Sequence, residues 1–242
     1  MGFIWRILGV AYRNYIFFKR QWMWLAQSVM YTVGFMIIFT LWAGISALKH
    51  MIIVFLITSG WGTGLNVIAQ TIGWDRITGE YEKRVASPLS LIEYLLGMVI
   101  GNMYTSGAVE IPIIIYAASC LDMDLLGLLL VYGLSFLATF IGLFLSLSII
   151  LRIKNPMNIS AVTNPLYSLT VILPPVFYPP TFLPEPIRTY CVVIPTTALV
   201  DLGRALTGQT HAYPLWMSSL SLLAWLIIAT ILAGKKLKWG LE

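Results

Sequence analysis

Residues 73–90 read GWDRITGEYEKRVASPLS. They hold Asp75, Arg76, Glu80, Glu82, Lys83 and Arg84, six of the 25 charged residues in a chain of 242. Apolar runs lie on both sides. An island of charge in such a chain is either a solvated loop or a handle for another protein, and that choice governs the function.

The chain around it is 59% apolar and 10% charged, where a soluble domain carries about 25% charged residues. This predicts an all-α integral membrane protein. A membrane helix needs about 20 apolar residues. Six stretches qualify: Trp22–Ala47, Met51–Ile72, Ile92–Ser119, Leu125–Leu151, Ile159–Val176 and Pro214–Ala233. The first two are expected to form a tight hairpin turning at Lys49-His50, and little chain is left for a separate soluble domain. The first apolar run, from Trp22 to Leu48, is longer than the core of a cleavable signal peptide and is read as a membrane helix. The net charge of +5 is not a nucleic-acid signal, because most basic residues flank apolar runs and set topology instead. Cys120 and Cys191 are far apart and His50 and His211 are isolated, so no metal site is expected.

With the N-terminus inside, twelve of the fifteen basic residues fall on inner segments, leaving Lys49, Arg188 and Arg204 outside. This expectation puts both termini and the charged island in the cytoplasm. Residues 1–21 form an amphipathic stretch. Arg6, Arg13 and Arg20 recur every seven residues, opposite Ile4, Leu8, Ala11, Tyr15 and Phe18. Such a helix lies in the cytoplasmic interface with its cations toward anionic headgroups, or is only a basic flank of the first span. The organisation expected is that helix, a six-helix transmembrane domain over 22–233, and a cytoplasmic tail at 234–242.

Seven of the twelve prolines fall within Pro174–Pro195, too dense for a continuous helix, yet the segment stays apolar. Irregular apolar chain at membrane depth needs protein or a water-filled cavity around it. A re-entrant or interfacial outer segment over 176–211 is therefore expected between the fifth and sixth spans, with a plain outer loop as the alternative. Asp201 and Arg204 are one turn apart, a spacing that permits an ion pair.

Within the spans, Asn102, Ser106 and Glu110 share one helix face, and Pro112 predicts a kink beside them. An intramembrane acid is a functional candidate by default; the other reading is a structural carboxyl. Asn66 and Gln70 share a face of the second span with Thr63. Gly60 and Gly64, and likewise Gly97 and Gly101, are four apart and permit close helix approach. Asn155-Pro156 opens the fifth span and Asn164-Pro165 interrupts it, as in discontinuous transport helices or packing kinks. The substrate-path candidates are Asn66, Gln70, Asn102, Ser106 and Glu110. The chain contains no phosphate-binding loop and no dinucleotide fingerprint, and no nucleophile–base pattern is evident. A transporter of this kind draws its energy from elsewhere.

The island resembles a segment of the ABC-type permeases of the type-2 exporter family. Asp75-Arg76, then Gly79-Glu80-Tyr81-Glu82, then Ser87-Pro88 match that family's loop between the second and third spans in order. Phe182-Leu183-Pro184, Pro195-Thr196, Asp201 and Arg204 are similar to its stretch before the last span. Lys83 and Arg84 stand where the family usually has apolar residues, and Ile194-Pro195 where Asn-Pro is common. The resemblance implies a permease that pairs as a homodimer and binds an ABC ATPase subunit, which carries ATP and magnesium; this chain would hold no cofactor. It makes 73–90 a coupling helix, with Trp74, Asp75, Arg76, Gly79, Glu80, Tyr81, Glu82 and Arg84 as contacts, and Arg152 and Lys154 as a second contact. Pro184, Pro195, Asp201 and Arg204 would belong to re-entrant half-helices capping the path. The leading expectation is outward movement of a small amphipathic or lipid-like compound across the plasma membrane. A glycan exporter, an intramembrane enzyme and a non-transporting ATPase anchor are the alternatives. The enzyme would have to use Glu110, Asp201, Arg204 and His211.

Overall fold

The computed structural model describes residues 2–234 except 21, 151 and 154. Lys154 and residues 235–242, which carry Lys235, Lys236, Lys238 and all but the first residue of the expected tail, lie outside the described residues. The described residues are helical, with no strand. Three stretches are long and apolar enough to cross a membrane: Trp22–Ile77, Leu125–Ile150 and Leu215–Leu232. A bent helix over Leu91–Cys120 makes a fourth.

Helix α1 (Phe3–Arg20) precedes α2 (Trp22–Gly62), which is not straight. At Gly44 the backbone takes φ 76° and ψ −169°, a region open to glycine because it has no Cβ. Phe35 and Phe55 would lie about 30 Å apart on a continuous helix, but their rings are 6.1 Å apart. The two arms therefore fold back on each other. The hairpin turns at Gly44 and not at Lys49-His50, which is helical; neither lysine nor histidine tolerates the backbone that the turn requires.

The second arm continues through a π-helical turn (Thr63–Ile68) into α3 (Ala69–Ile77). The short α4 (Glu80–Val85) follows Gly79, whose φ of 72° separates it from α3. Helix α5 (Leu91–Cys120) starts with a capping box between Ser90 and Glu93. It bends by 46° between Leu91–Tyr104 and Ser106–Cys120. The bend falls between Tyr104 and Ser106, next to a Ser-Gly pair of the kind that favours kinks, and not at Pro112. Helix α6 (Leu125–Ile150) is joined by a turn to α7 (Ile159–Val171). At 13 residues, α7 is about 20 Å long, short of the roughly 30 Å hydrocarbon core. It runs unbroken through Pro165, where an interruption was expected. Residues 172–194 are mostly turns, including the single turn α8 (Ile187–Tyr190). Helices α9 (Pro195–Leu206) and α10 (Leu215–Gly234) follow.

Small residues decide the packing. A Cβ on Gly60 would lie 2.2 Å from the Ser135 carbonyl oxygen, and one on Gly64 2.0 Å from that of Thr139. The second arm of α2 and α6 thus touch backbone to backbone, and Thr139 and Ser146 hydroxyls donate across to the Gly60 and Gly64 carbonyls at 3.0 and 3.3 Å. Gly97 and Gly101 serve α1: added Cβ atoms would strike Val10 at 2.5 Å and Asn14 at 2.7 Å. Helix α1 is therefore docked on α5 through Ile7, Ala11 and Asn14, all buried. Ile4 and Leu8, expected on its apolar stripe, are exposed.

Candidate functional site

The island folds around Asp75. Helix α3 carries it, and the carboxylate is buried, 2% exposed. Its Oδ1 accepts from Arg13 Nη2 of α1 at 2.8 Å and from Arg84 Nη2 of α4 at 3.1 Å. Its Oδ2 accepts from Arg84 Nη1 and, at 3.1 Å, from the Tyr94 hydroxyl of α5. The Arg84 guanidinium also sits 5.2 Å from the Tyr94 ring centre. One buried acid thus joins four helices, and two guanidinium forks supply the charge-assisted bonds that its burial requires. Beside it, Arg6 of α1 donates to Glu93 of α5 at 2.7 Å. The arginine stripe of α1, expected to face headgroups, also pairs with protein carboxylates at Arg6 and Arg13.

Arg76 turns the other way. Its Nη1 donates to the Ile150 and Ile153 carbonyls at 3.4 and 3.3 Å, capping the C-terminal end of α6, where cations are favoured. Gly73 is packed on Ile159: an added Cβ would come within 2.7 Å of its Cδ1. The two segments expected to contact a partner, 73–90 and the turn beginning at Arg152, are thereby placed side by side. Trp74, Ile77, Glu82 and Lys83 are exposed on this end of the molecule, as is Arg152. Tyr81 is half-buried against the α3–α5–α6 core. Glu80 pairs with Lys83 at 2.7 Å, and that bond holds its carboxyl below the usual range.

The path candidates divide into three groups. Asn66 and Gln70 join α7: Gln70 Nε2 donates to Asn66 Oδ1 at 2.6 Å and to Asn164 Oδ1 at 3.0 Å, and Thr163 donates to Asn66 Oδ1 at 2.7 Å. The π-helical turn, a feature frequent at functional sites, holds Asn66 here. Asn102 and Ser106 bond back to carbonyls of their own helix, Met98 and Met103. Glu110 is 3% exposed, beside Ser59, and neither of its oxygens has a hydrogen bond among the described residues. A separate groove of about 580 Å³ opens between the first arm of α2 and α5, walled by Val33, Met36, Leu41, Ala108, Pro112 and Tyr116 among others. Glu110 does not line it.

In the proline-rich segment between α7 and α10, Pro195 opens α9 at its first turn, where a missing N–H costs nothing. Helix α9 is buried along most of its length. Asp201 and Arg204 do not form the ion pair that their spacing permits. Asp201 accepts from the Ala212 N–H at 2.7 Å and the Ser218 hydroxyl at 3.1 Å. The Arg204 fork lies across His50, with Nε 3.2 Å from Nδ1, and His50 Nε2 is 3.1 Å from the Val176 carbonyl oxygen. His50, isolated in sequence, is an anchor between the α2 hairpin and the proline-rich segment. Pro184 is exposed. Both cysteines are free.

Sequence reasoning missed Arg13, Tyr94, Glu93 and Thr163 as partners. The Ser90–Glu93 spacing is a recognisable capping signature, and the seven-residue arginine repeat was visible. Which acids those arginines meet depends on folding.

A search of curated proteins returned no match. The family model described as ABC-2 family transporter protein matches residues 46–235, a range that takes in the second arm of α2, the island, and every later helix. This multi-pass chain of apolar helices, with its ion-paired island of charge, belongs to the ABC-2 family of transporter proteins.

Proposed function

We propose that this chain is the permease subunit of an ABC exporter, and that ATP hydrolysis in a separate subunit drives a small amphipathic compound outward. The observation that carries this reading is the island. It is anchored at Asp75 and Arg76 while Trp74, Ile77, Glu82 and Lys83 stay exposed. A rigid element with an exposed aromatic and mixed charges suits a protein interface. Force applied to α4 reaches α1 and α5 through Arg84, Asp75, Arg13 and Tyr94. Through Arg76 it reaches the end of α6 and the start of α7.

In this reading the chain crosses the plasma membrane six times, with the two arms of α2 as separate crossings, the short α7 extended to full depth by the irregular chain that follows it, and both termini in the cytoplasm. Two copies pair, and the ATPase subunit supplies ATP and magnesium. The Asn66–Gln70–Thr163–Asn164 cluster faces the path, and α9 is the re-entrant cap on the outer side.

The test is co-expression with candidate ABC ATPase subunits from the same genome, followed by purification in lipid nanodiscs. A stable complex that hydrolyses ATP is expected. Trp74→Ala combined with Glu82→Lys should reduce recovery of the ATPase at least ten-fold while leaving the permease folded. Arg84 is a poor choice for this experiment because its loss disturbs Asp75. A wild-type chain that binds no ATPase in such an assay would end this reading.

A further inference from the structure

We infer that the C-terminal half of α1 holds the phosphate of an anionic phospholipid between Arg13 and Arg20. Arg13, Ile16, Phe17 and Arg20 line an open surface cleft of about 280 Å³. Their spacing puts all four on one helix face.

Charge balance argues for an anion there. Helix α1 and residues 73–93 together carry seven cations and four carboxylates. Glu93 is engaged by Arg6, Glu80 by Lys83, and Asp75 by both Arg13 and Arg84. One carboxylate between two guanidiniums leaves a positive charge over. Among the described residues no carboxylate pairs with Arg20. Arg13 keeps its side chain 40% exposed while bonded to Asp75. Arginine is the side chain suited to phosphate oxygens, and two of them line the cleft one heptad apart, Arg13 already donating to Asn14 and Asp75.

A free phosphate offers the same charge. The walls of the cleft favour the lipid, because Ile16 and Phe17 provide apolar contact that only a glycerol backbone and its chains can use. Phe3, Trp5 and Tyr12 are also exposed on α1, as on a helix bedded in the headgroup layer. The site adjoins the island through Arg13, so lipid and Asp75 share one guanidinium.

The experiment uses the full chain in nanodiscs of phosphatidylcholine with one tenth phosphatidylglycerol, ejected for native mass spectrometry. Wild type should retain phosphatidylglycerol. Arg20→Gln should retain about five-fold less, the effect expected for one basic residue near an anionic surface, with an unchanged melting temperature. Lys83→Gln, which removes the same charge at the same end, should retain it fully. Millimolar inorganic phosphate should not displace the lipid. Equal retention by Arg20→Gln, equal loss in Lys83→Gln, or displacement by inorganic phosphate would each overturn the assignment.

Discussion

Asp75 shows how one side chain can set the local structure. Its neighbours in sequence suggest a solvated charge, but it is buried and takes bonds from three helices besides its own. Removing one partner of a buried ion pair costs about 3–5 kcal/mol. Asp75→Leu should therefore lower stability by about that much and open 73–90 to proteolysis, whereas Glu82→Gln should do neither; thermal unfolding and limited trypsin digestion compare the two. Glu110 is the opposite case. A buried carboxyl whose oxygens find no partner at bonding distance among the described residues, with only a longer approach to Ser59, costs stability, so Glu110→Met should leave the melting temperature unchanged or raise it. A fall of several degrees would show that the carboxyl has a partner in the assembled transporter. Tyr213, before α10, donates to the Arg188 carbonyl at 2.6 Å, and burial pushes its hydroxyl up to about 12. The protonated form is the neutral one. Its contribution is therefore complete below the unfolded value near 10 and is lost as pH rises toward 12. Melting curves of wild type and Tyr213→Phe should converge across that window.

At the scale of elements, glycines and hydroxyls determine which helices meet. The glycine pairs are legible in sequence, but their partners are not. Gly60 and Gly64 serve contact with α6 inside the chain, and Gly97 and Gly101 seat α1. Overpacking such a contact costs about 1–3 kcal/mol or more. Gly64→Ala should destabilise by at least that amount, since its new methyl would meet backbone. Gly133→Ala, with nothing within 4 Å of an added Cβ, should be neutral or gain about 1 kcal/mol from helix propensity. Guanidinium or thermal unfolding in detergent separates the pair. The turn at Gly44 follows the same logic. Charge at Lys49-His50 marks a sequence boundary, but only a residue without a side chain accepts the backbone that reverses the arm. The bend in α5 between Tyr104 and Ser106, and the unbroken passage of α7 through Pro165, likewise follow from packing that local proline rules do not contain.

At the scale of the molecule, the distribution of basic residues predicts that the island lies inside and the proline-rich segment outside. In a Cys120→Ser, Cys191→Ala background, Lys83→Cys should react with an impermeant maleimide only after permeabilisation, and Thr189→Cys should react in intact cells. The reverse pattern would invert the topology. By itself the sequence determined the membrane class, the helical content and the family. These follow from composition, apolar run length and short motifs, which depend on neighbours along the chain and on transfer out of water. Only the tertiary structure decided that Arg13, Arg84 and Tyr94 converge on Asp75, that Arg204 meets His50 and not Asp201, and that Glu110 faces away from the apolar groove. Those pairings join residues up to 154 positions apart. Burial makes each satisfied polar contact valuable, and which groups become buried together is settled by how the glycine-lined helices pack. The charged island entered as a feature of composition. Its fold makes it the joint between α1, α4, α5 and the end of α6.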